Sequence, residues 1–517
     1  MNRATMLQHL EKESHWDIII IGGGATGLGT AIDAATRGYK TLLLEQEDFA
    51  KATSSRSTKL LHGGVRYLAQ GNFKLVLDAL RERGILLKNA PHVTTAFSFI
   101  IPAYQWWEKM YYGIGLKLYD IMAGKLGLGN TTLLSTEKII ALLPTIKQHS
   151  LQGGIMYKDG QFDDARLAIN LAQTASENGA IVLNYCKVTG LIKEDERVTG
   201  VKLTDTLNRK EYIAHGTIVI NATGVFADGI LRMDNALQPV LISPSQGVHL
   251  VLDKKFFPGT NAMMIPKTSD GRVLFAVPWH NKIIVGTTDT PIKKITLEPA
   301  ALDEEVSFIL NNINLYLKTL ITRNDVLSVF AGLRPLVKLK NIHKTAIMPR
   351  DHTIIIARSG LISITGGKWT TYRKMAKDVI DKAARTGQLA KRNCVTQDLK
   401  IHGWTTDNNK NDALHYYGAD LEKLKDLHKE NELWSGLLDP GYAFTKACVI
   451  WAVRYEMAMT VEDVLSRRTR LLFLDARTAI KTAAVVAQLM AEEMGNGDDW
   501  IKEEITTFTT LAKRYLL

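Results

Sequence analysis

Gly22, Gly24 and Gly27 form a G-x-G-x-x-G turn between the apolar run Asp17–Ile21 and a helix-forming stretch. Each position has a chemical reason to be glycine: the first permits a tight turn, the second lets the backbone approach a pyrophosphate, and the third lets helix and strand pack closely. The helix N-terminus then presents unpaired N–H groups and partial positive charge to the phosphates. Glu45 lies 21 residues beyond Gly24 at the end of the next apolar run, Thr41–Glu45, where it can accept hydrogen bonds from ribose hydroxyls. With Gly38 as a helix stop between them, strand, glycines, helix and acidic strand end fall in the order of a dinucleotide-binding βαβ unit.

NAD and FAD share this fingerprint, and the following segments favour FAD. Ala52–Tyr67 is dense in small hydroxyls and holds Lys59, His62 and the pair Gly63-Gly64, which suits a cofactor lying extended through the protein. Thr217–Gly224 runs an apolar strand into small residues able to pass close beneath such a cofactor. In Ser363–Thr371 a strand ends in Gly366-Gly367 and a helix begins, aiming N–H donors at something anionic or electron-rich, such as a reduced flavin.

On these residues the chain resembles the FAD-dependent glycerol-3-phosphate dehydrogenases over nearly its whole length. The specific pieces are Thr53–Tyr67, Gln161–Arg166, Gly286-Thr-Thr-Asp289, Gly332-Leu-Arg-Pro335, Gly366–Arg373 and Asp463–Asp475. The resemblance implies an α/β FAD-binding domain, Rossmann-like and of the glutathione-reductase/amino-acid-oxidase type, with an antiparallel β-sheet substrate domain and a C-terminal all-helical domain. It implies oxidation of sn-glycerol 3-phosphate to dihydroxyacetone phosphate by hydride transfer to non-covalent FAD, with electrons passing to a membrane quinone. An oxidase forming hydrogen peroxide and a related amino-acid oxidase are the alternatives. A homodimer is compatible with the family.

The residues expected at the cofactor are Gly22, Gly24, Ala25, Thr26, Gly27, Glu45, Thr53, Ser54, Ser55, Lys59, Leu61, His62, Gly63, Gly64, Val188, Ala222, Thr223, Gly224, Arg334, Gly366, Gly367, Lys368, Trp369 and Thr370. A phosphate dianion calls for guanidinium groups with paired donors. Arg334 and Arg350 match the family's phosphate-binding positions, and Arg66, Tyr67 and Lys368 match further residues near flavin and substrate. Alcohol oxidation also needs a base for the hydroxyl proton. His249, on an alternating strand, and His62, beside Gly63-Gly64, are the two candidates, with His249 chosen because it belongs to the expected substrate sheet.

The elements that must position these groups follow from pattern. The FAD and substrate region is expected at 16–395, with FAD mainly at 16–85, 151–240 and 330–395 and substrate mainly at 86–150 and 241–329; the helical domain is expected at 396–517. Val248–Leu252, Val273–Val277 and Ile283–Gly286 alternate as antiparallel strands. Helices are expected near 73–87, 165–178, 302–320 and 476–494, and Thr460–Asp463 is a capping box. Arg467-Arg-Thr-Arg470 reads either as a solvated or salt-bridged helix face or as a group reaching an acidic neighbour.

Three scattered cysteines, Cys186, Cys394 and Cys448, fit a reducing compartment and lack metal-ligand spacing. The net charge of +11 calls for an anionic partner; with no long basic block or recognised motif, nucleic acid is the weakest candidate and anionic lipid or a phosphorylated substrate the better ones. Residues 1–16 lack a signal-peptide core, and no apolar run reaches 18 residues. Trp106–Tyr119 mixes aromatics, aliphatics and lysines, as an interfacial patch does or as a stripe packed on the protein's own core. The expected location is cytoplasmic, peripherally attached to the inner face of the membrane.

Overall fold

The computed structural model describes all 517 residues except 65–67, 69–70, 339–350 and 408. Two sheets organise the chain. In the first, Ile362–Gly366, Glu211–Asn221, Trp16–Ile21, Thr41–Leu44 and Ile181–Leu183 lie side by side and parallel. Parallel strands covered on both faces read as continuous apolar runs, and Ile18, Ile19, Ile20, Leu42, Leu43 and Leu44 are all buried. The helices Ala25–Thr36, Asp164–Glu177 and Tyr372–Thr386 belong to this layer, and the first two pack together, as do the first and third.

The second sheet is mostly antiparallel. Its centre is the long ribbon Ile242–Asp253 against Val326–Val337, extended through Lys282–Gly286, Leu274–Trp279 and Ala262–Ile265. The alternation around Val248–Leu252 and Ile283–Gly286 thus forms the antiparallel strands read from sequence. Ala262–Ile265 then runs parallel to Thr94–Pro102, which pairs with Gly154–Phe162. Gly154–Phe162 and Val326–Val337 fall largely in stretches assigned from sequence to the cofactor region, yet both pair in the substrate sheet, because a pairing partner is not encoded in a strand's own pattern.

Among the described residues, the last quarter of the chain holds helices and no strand, with Lys446–Glu456, Ala476–Met494 and Asp498–Ala512 the longest. The capping box forms: Thr460 Oγ1 accepts from Asp463 N–H at 3.2 Å, and Asp463 Oδ2 accepts from Thr460 N–H at 3.1 Å. The following turn is wound wider than an α-helix, with Thr469 N–H donating to Val464 C=O. Its arginines are not a solvated face. Arg467, Arg468 and Arg470 are at most 1% exposed and are paired with Asp48 and Asp163 from distant segments and with Glu462 and Asp463 at the start of the same turn.

Candidate active site

The glycine turn has the geometry its residue types suggested. Gly22 adopts φ +112°, and a Cβ on Gly27 would stand 1.8 Å from the Gly22 carbonyl oxygen, so the helix sits against the strand end only without a side chain there. Gly24 is the helix N-cap and contributes no side-chain cap, leaving the first-turn N–H groups directed at the adjoining cavity apart from Ala25, whose N–H donates to Ser54 Oγ at 3.0 Å. Glu45 is fixed at the next strand end by Gly23 N–H at 2.6 Å and Glu47 N–H at 3.0 Å. Burial pushes its carboxyl up to about 7 against the effect of those two donors.

An elongated cavity of about 700 Å³ runs past these groups, lined by Gly22, Gly24, Ala25, Thr26, Glu45, Thr53, Ser54, Val188, Ala222, Thr223, Gly224, Gly366, Gly367, Lys368 and Trp369. A second cavity of about 320 Å³ is lined by Thr58, His62, Gly64, Asp159, His249, Arg272, Thr287, Asp289, Arg334 and Thr370. Thr53, Lys368 and Trp369 line both, so the two spaces share a wall at the turn after Ile362–Gly366. Trp369 Nε1–H donates to Ser54 C=O at 2.8 Å and Thr53 Oγ1–H to Leu333 C=O at 2.7 Å, which ties that wall to the short turn Thr53–Ser55 and, through it, to the substrate sheet. A groove lined by the bare backbone of Gly22 and Gly24 and by the acidic Glu45, sharing a wall with a second polar cavity, fits FAD.

Five residues expected at the cofactor line neither cavity, and His62, Gly64, Arg334 and Thr370, also expected there, line only the second. Lys59 is buried with its ammonium on Asp164 at 2.6 Å and on Ser55 C=O at 2.6 Å, surrounded by the rings of Trp279, Phe330 and Phe473, and it lines neither cavity. A carboxylate captures an ammonium more cheaply than an open groove does, and Asp164 is remote in sequence. Leu61 pairs with Gly160 inside the second sheet, Ser55 is buried beneath Ala52 C=O, and Gly63 donates its N–H to Tyr119 Oη at 2.7 Å. Gly27 acts by close packing rather than by lining the groove. Arg66, Tyr67 and Arg350 lie outside the described residues.

Register builds one wall of the second cavity. Ser245, Gly247 and His249 share one face of their strand, and their partners Arg334, Gly332 and Phe330 share the same face of the next. The Arg334 guanidinium lies over Gly247, where a Cβ would come within 2.3 Å of Nη2. It donates to Thr287 Oγ1 at 3.0 Å, Thr288 C=O at 2.9 Å and Asp289 at 3.3 Å. Buried Glu305 holds that loop in turn, accepting from Thr288 Oγ1 at 2.8 Å and Thr290 Oγ1 at 2.6 Å. His249 is 2% exposed, stacked on Phe330 at 4.9 Å, with Nε2 at 2.8 Å from Thr58 Oγ1. Burial first, then the charges of Lys59 and Arg334, hold its imidazole well below the usual histidine range. The sequence reading missed Thr58 and the Glu305 network; Gly286–Asp289 stood out there as a motif but carried no role.

Glycine turn, acidic strand end and extended groove opening on a polar reaction space define an FAD-dependent oxidoreductase. The family model "FAD dependent oxidoreductase" matches residues 17–373, and that of the "C-terminal domain of alpha-glycerophosphate oxidase" matches 360–501. The chain is 37% identical to the mitochondrial glycerol-3-phosphate dehydrogenase of Schizosaccharomyces pombe, over 96% of this chain and 87% of that one. It is 38% identical to the human mitochondrial protein of the same name, over 97% and 74%. Its fold matches the glycerol-3-phosphate dehydrogenase of Bacillus halodurans complexed with FAD, with a TM-score of 0.81, 30% identity and coverage of 99% and 97%. The chain belongs to the FAD-dependent glycerol-3-phosphate dehydrogenase family.

Proposed function

We propose that this protein oxidises sn-glycerol 3-phosphate to dihydroxyacetone phosphate and passes the electrons to a membrane quinone. Bound FAD supplies the hydride acceptor. The observation that carries the substrate reading is the position of Arg334, a guanidinium on the floor of a small cavity that shares the Lys368–Trp369 wall with the cofactor groove. A phosphate dianion held there places the three-carbon body beside His249 and His62. His249 takes the hydroxyl proton in this reading, and Lys368 adds positive charge at the junction.

The acceptor reading rests on the helix Glu108–Ala123. Met110, Tyr111, Ile114, Leu118 and Ile121 form an exposed stripe along it, Trp106 and Trp107 lie just before it, and Lys117 and Lys125 are exposed beside it. Its other face seats Leu116 in a cluster with Leu60, Phe99, Tyr157 and Met264, which line the catalytic cavity. A surface of this composition suits the interface of an anionic bilayer, and the apolar wall behind it suits a lipid-borne acceptor better than oxygen. Among the described residues no helix is long and apolar enough to cross a membrane. Attachment to the cytoplasmic face is part of the same reading.

Anaerobic mixing of the yellow holoprotein with glycerol 3-phosphate tests it: the flavin absorbance should bleach, and a quinone analogue should restore it faster than air. Denaturation should release the flavin. A flavin that stays oxidised with glycerol 3-phosphate removes the substrate assignment, and faster recovery in air favours an oxidase.

A further inference from the structure

His249 has little direct access to the cavity it serves. Its ring is sandwiched between Phe330 on one side and Gly286 on the other, where a Cβ would stand 2.3 Å from Cδ2. Nδ1 is buried and has no hydrogen-bond partner among the described residues. Nε2 meets Thr58 Oγ1 at 2.8 Å, and Thr58 is itself half-buried in the cavity wall. The polar path from the reaction space to the imidazole therefore runs through a hydroxyl.

We propose that Thr58 is a catalytic residue whose hydroxyl meets the C2 hydroxyl of glycerol 3-phosphate and relays its proton to His249 Nε2. The inference rests on the substrate reading above. A threonine hydroxyl carries one proton and two lone pairs, so it can accept from the substrate while donating to Nε2. FAD held in the groove would take the C2 hydrogen with its electron pair, oxidising the carbinol as its oxygen takes on the character of a protonated carbonyl. That O–H bond breaks as a new one forms to Thr58 Oγ1, whose original proton moves to Nε2. Atoms and charge balance: the ketone leaves neutral at C2, threonine is regenerated and the imidazole becomes imidazolium.

A weak base is sufficient for this order of events, because a protonated carbonyl is a strong acid. Burial and the charges of Lys59 and Arg334 keep the imidazole neutral and ready to accept, and the dianion bound at Arg334 offsets part of that positive field when substrate is present. The unpartnered Nδ1 makes imidazolium a transient state rather than a resting one.

The test is anaerobic stopped-flow reduction of holoenzyme by glycerol 3-phosphate, comparing wild type, Thr58→Val, Thr58→Ser, His249→Gln and the Thr58→Val/His249→Gln double variant. Reduction of the wild type fixes the substrate reading first; a wild type that stays oxidised overturns both. Thr58→Val should slow reduction by about a hundredfold with FAD content unchanged, the size attributed to a positioned proton acceptor, and Thr58→Ser should stay within severalfold of wild type. The double variant should be no slower than Thr58→Val, as for groups that act as one unit. A Thr58→Val enzyme at wild-type rate, or losses that multiply in the double variant, overturns the relay. Should Thr58→Val lose FAD, the wild-type proton inventory in mixed light and heavy water decides: a curved plot with two protons in flight supports the relay, and a linear one-proton plot overturns it.

Discussion

Asp48 and Arg468 face each other as a two-pronged ion pair with both side chains fully buried, Nη2 to Oδ1 at 2.9 Å and Nη1 to Oδ2. Arg467 donates to the same carboxylate. Asp48 follows Glu45, at the end of the strand Thr41–Leu44, by three residues, while both arginines belong to the wide turn of the helical region. The pair thus clamps the C-terminal helical region onto the segment that follows the strand Thr41–Leu44. Two adjacent guanidinium groups hold the Asp48 carboxyl down at about 2 despite its burial.

Asp48→Asn should leave two buried arginines without their anion and destabilise the protein by about 3–5 kcal/mol, the cost of breaking a buried pair on one side. Urea unfolding monitored by flavin release measures it. A variant within about 0.5 kcal/mol of wild type would show that Glu462, Asp463 and Glu456 suffice.

This clamp also marks where reading the sequence stops. The Gly22–Gly27 turn, Glu45 and the Thr460–Asp463 box were legible because each is a local arrangement with a local physical reason. Asp48 and Arg468 lie 420 residues apart and Thr58 and His249 191 apart, so neither partner is visible from the other's neighbourhood. Lys59 looked like a cofactor donor for the same reason, since Asp164 is 105 residues away. Thr94–Pro102 carries no period-two signal because its second half, Phe99–Pro102, is buried on both faces.

Arg334→Ala should remove several kcal/mol of transition-state binding, about 2–5 as for a charge partner lost from a buried site. FAD content should not change, because Arg334 lines the catalytic cavity and not the groove. The loss should appear with glycerol 3-phosphate and be small with glycerol, already a poor substrate without the phosphate. Wild-type kcat/KM in the variant would take Arg334 out of the site.

His402 bridges Glu177 and Asp420, each at 2.5 Å, and joins the helix Asp164–Glu177 to the first turns of the helical region. Hydrogen bonds and charge from the two carboxylates outweigh burial and raise its imidazole to about 9. A raised histidine contributes fully below its unfolded value near 6.5, and that contribution is lost as pH rises through 9, an upper bound of about 3 kcal/mol. Chemical unfolding at pH 7 and pH 10 should therefore show a larger drop for wild type than for His402→Gln. Parallel curves for the two proteins would discard the clamp.

Flavin reduction carries a different pH signature. Because the His249 imidazole is held well below 6.5, it is already neutral at pH 7, and protonation removes the acceptor only as pH falls further. The saturated rate of reduction should be flat across neutrality and decline only at pH well below the usual histidine range, with His249→Gln slowing it by about a hundredfold and erasing that decline. The substrate's own phosphate ionisation, near 6, affects the acid side at low substrate concentration, so the rate must be taken at saturation. An acid limb that survives in His249→Gln and disappears with a His62 substitution would exchange the roles of the two histidines.

The exposed helix stripe gives the last expectation. Ile114 is 66% and Ile121 75% exposed on one side of a helix whose other side is anchored by Leu116 and Tyr119, and Trp106, 80% exposed, lies just before it. Large apolar side chains held out in water along one face gain free energy when a bilayer interface covers them, at roughly 25 cal/mol per Å² removed from water. The net charge of +11 adds a salt-sensitive attraction to anionic headgroups. Liposomes containing anionic lipid should retain the protein at low salt and release part of it at high salt. Replacing Trp106, Ile114 and Ile121 together with Ser should abolish the salt-resistant fraction while flavin reduction by glycerol 3-phosphate continues, because none of the three lines the catalytic cavity. Equal retention on neutral and anionic vesicles would sink the electrostatic half of this account, and undiminished binding of the triple variant would move the docking surface elsewhere.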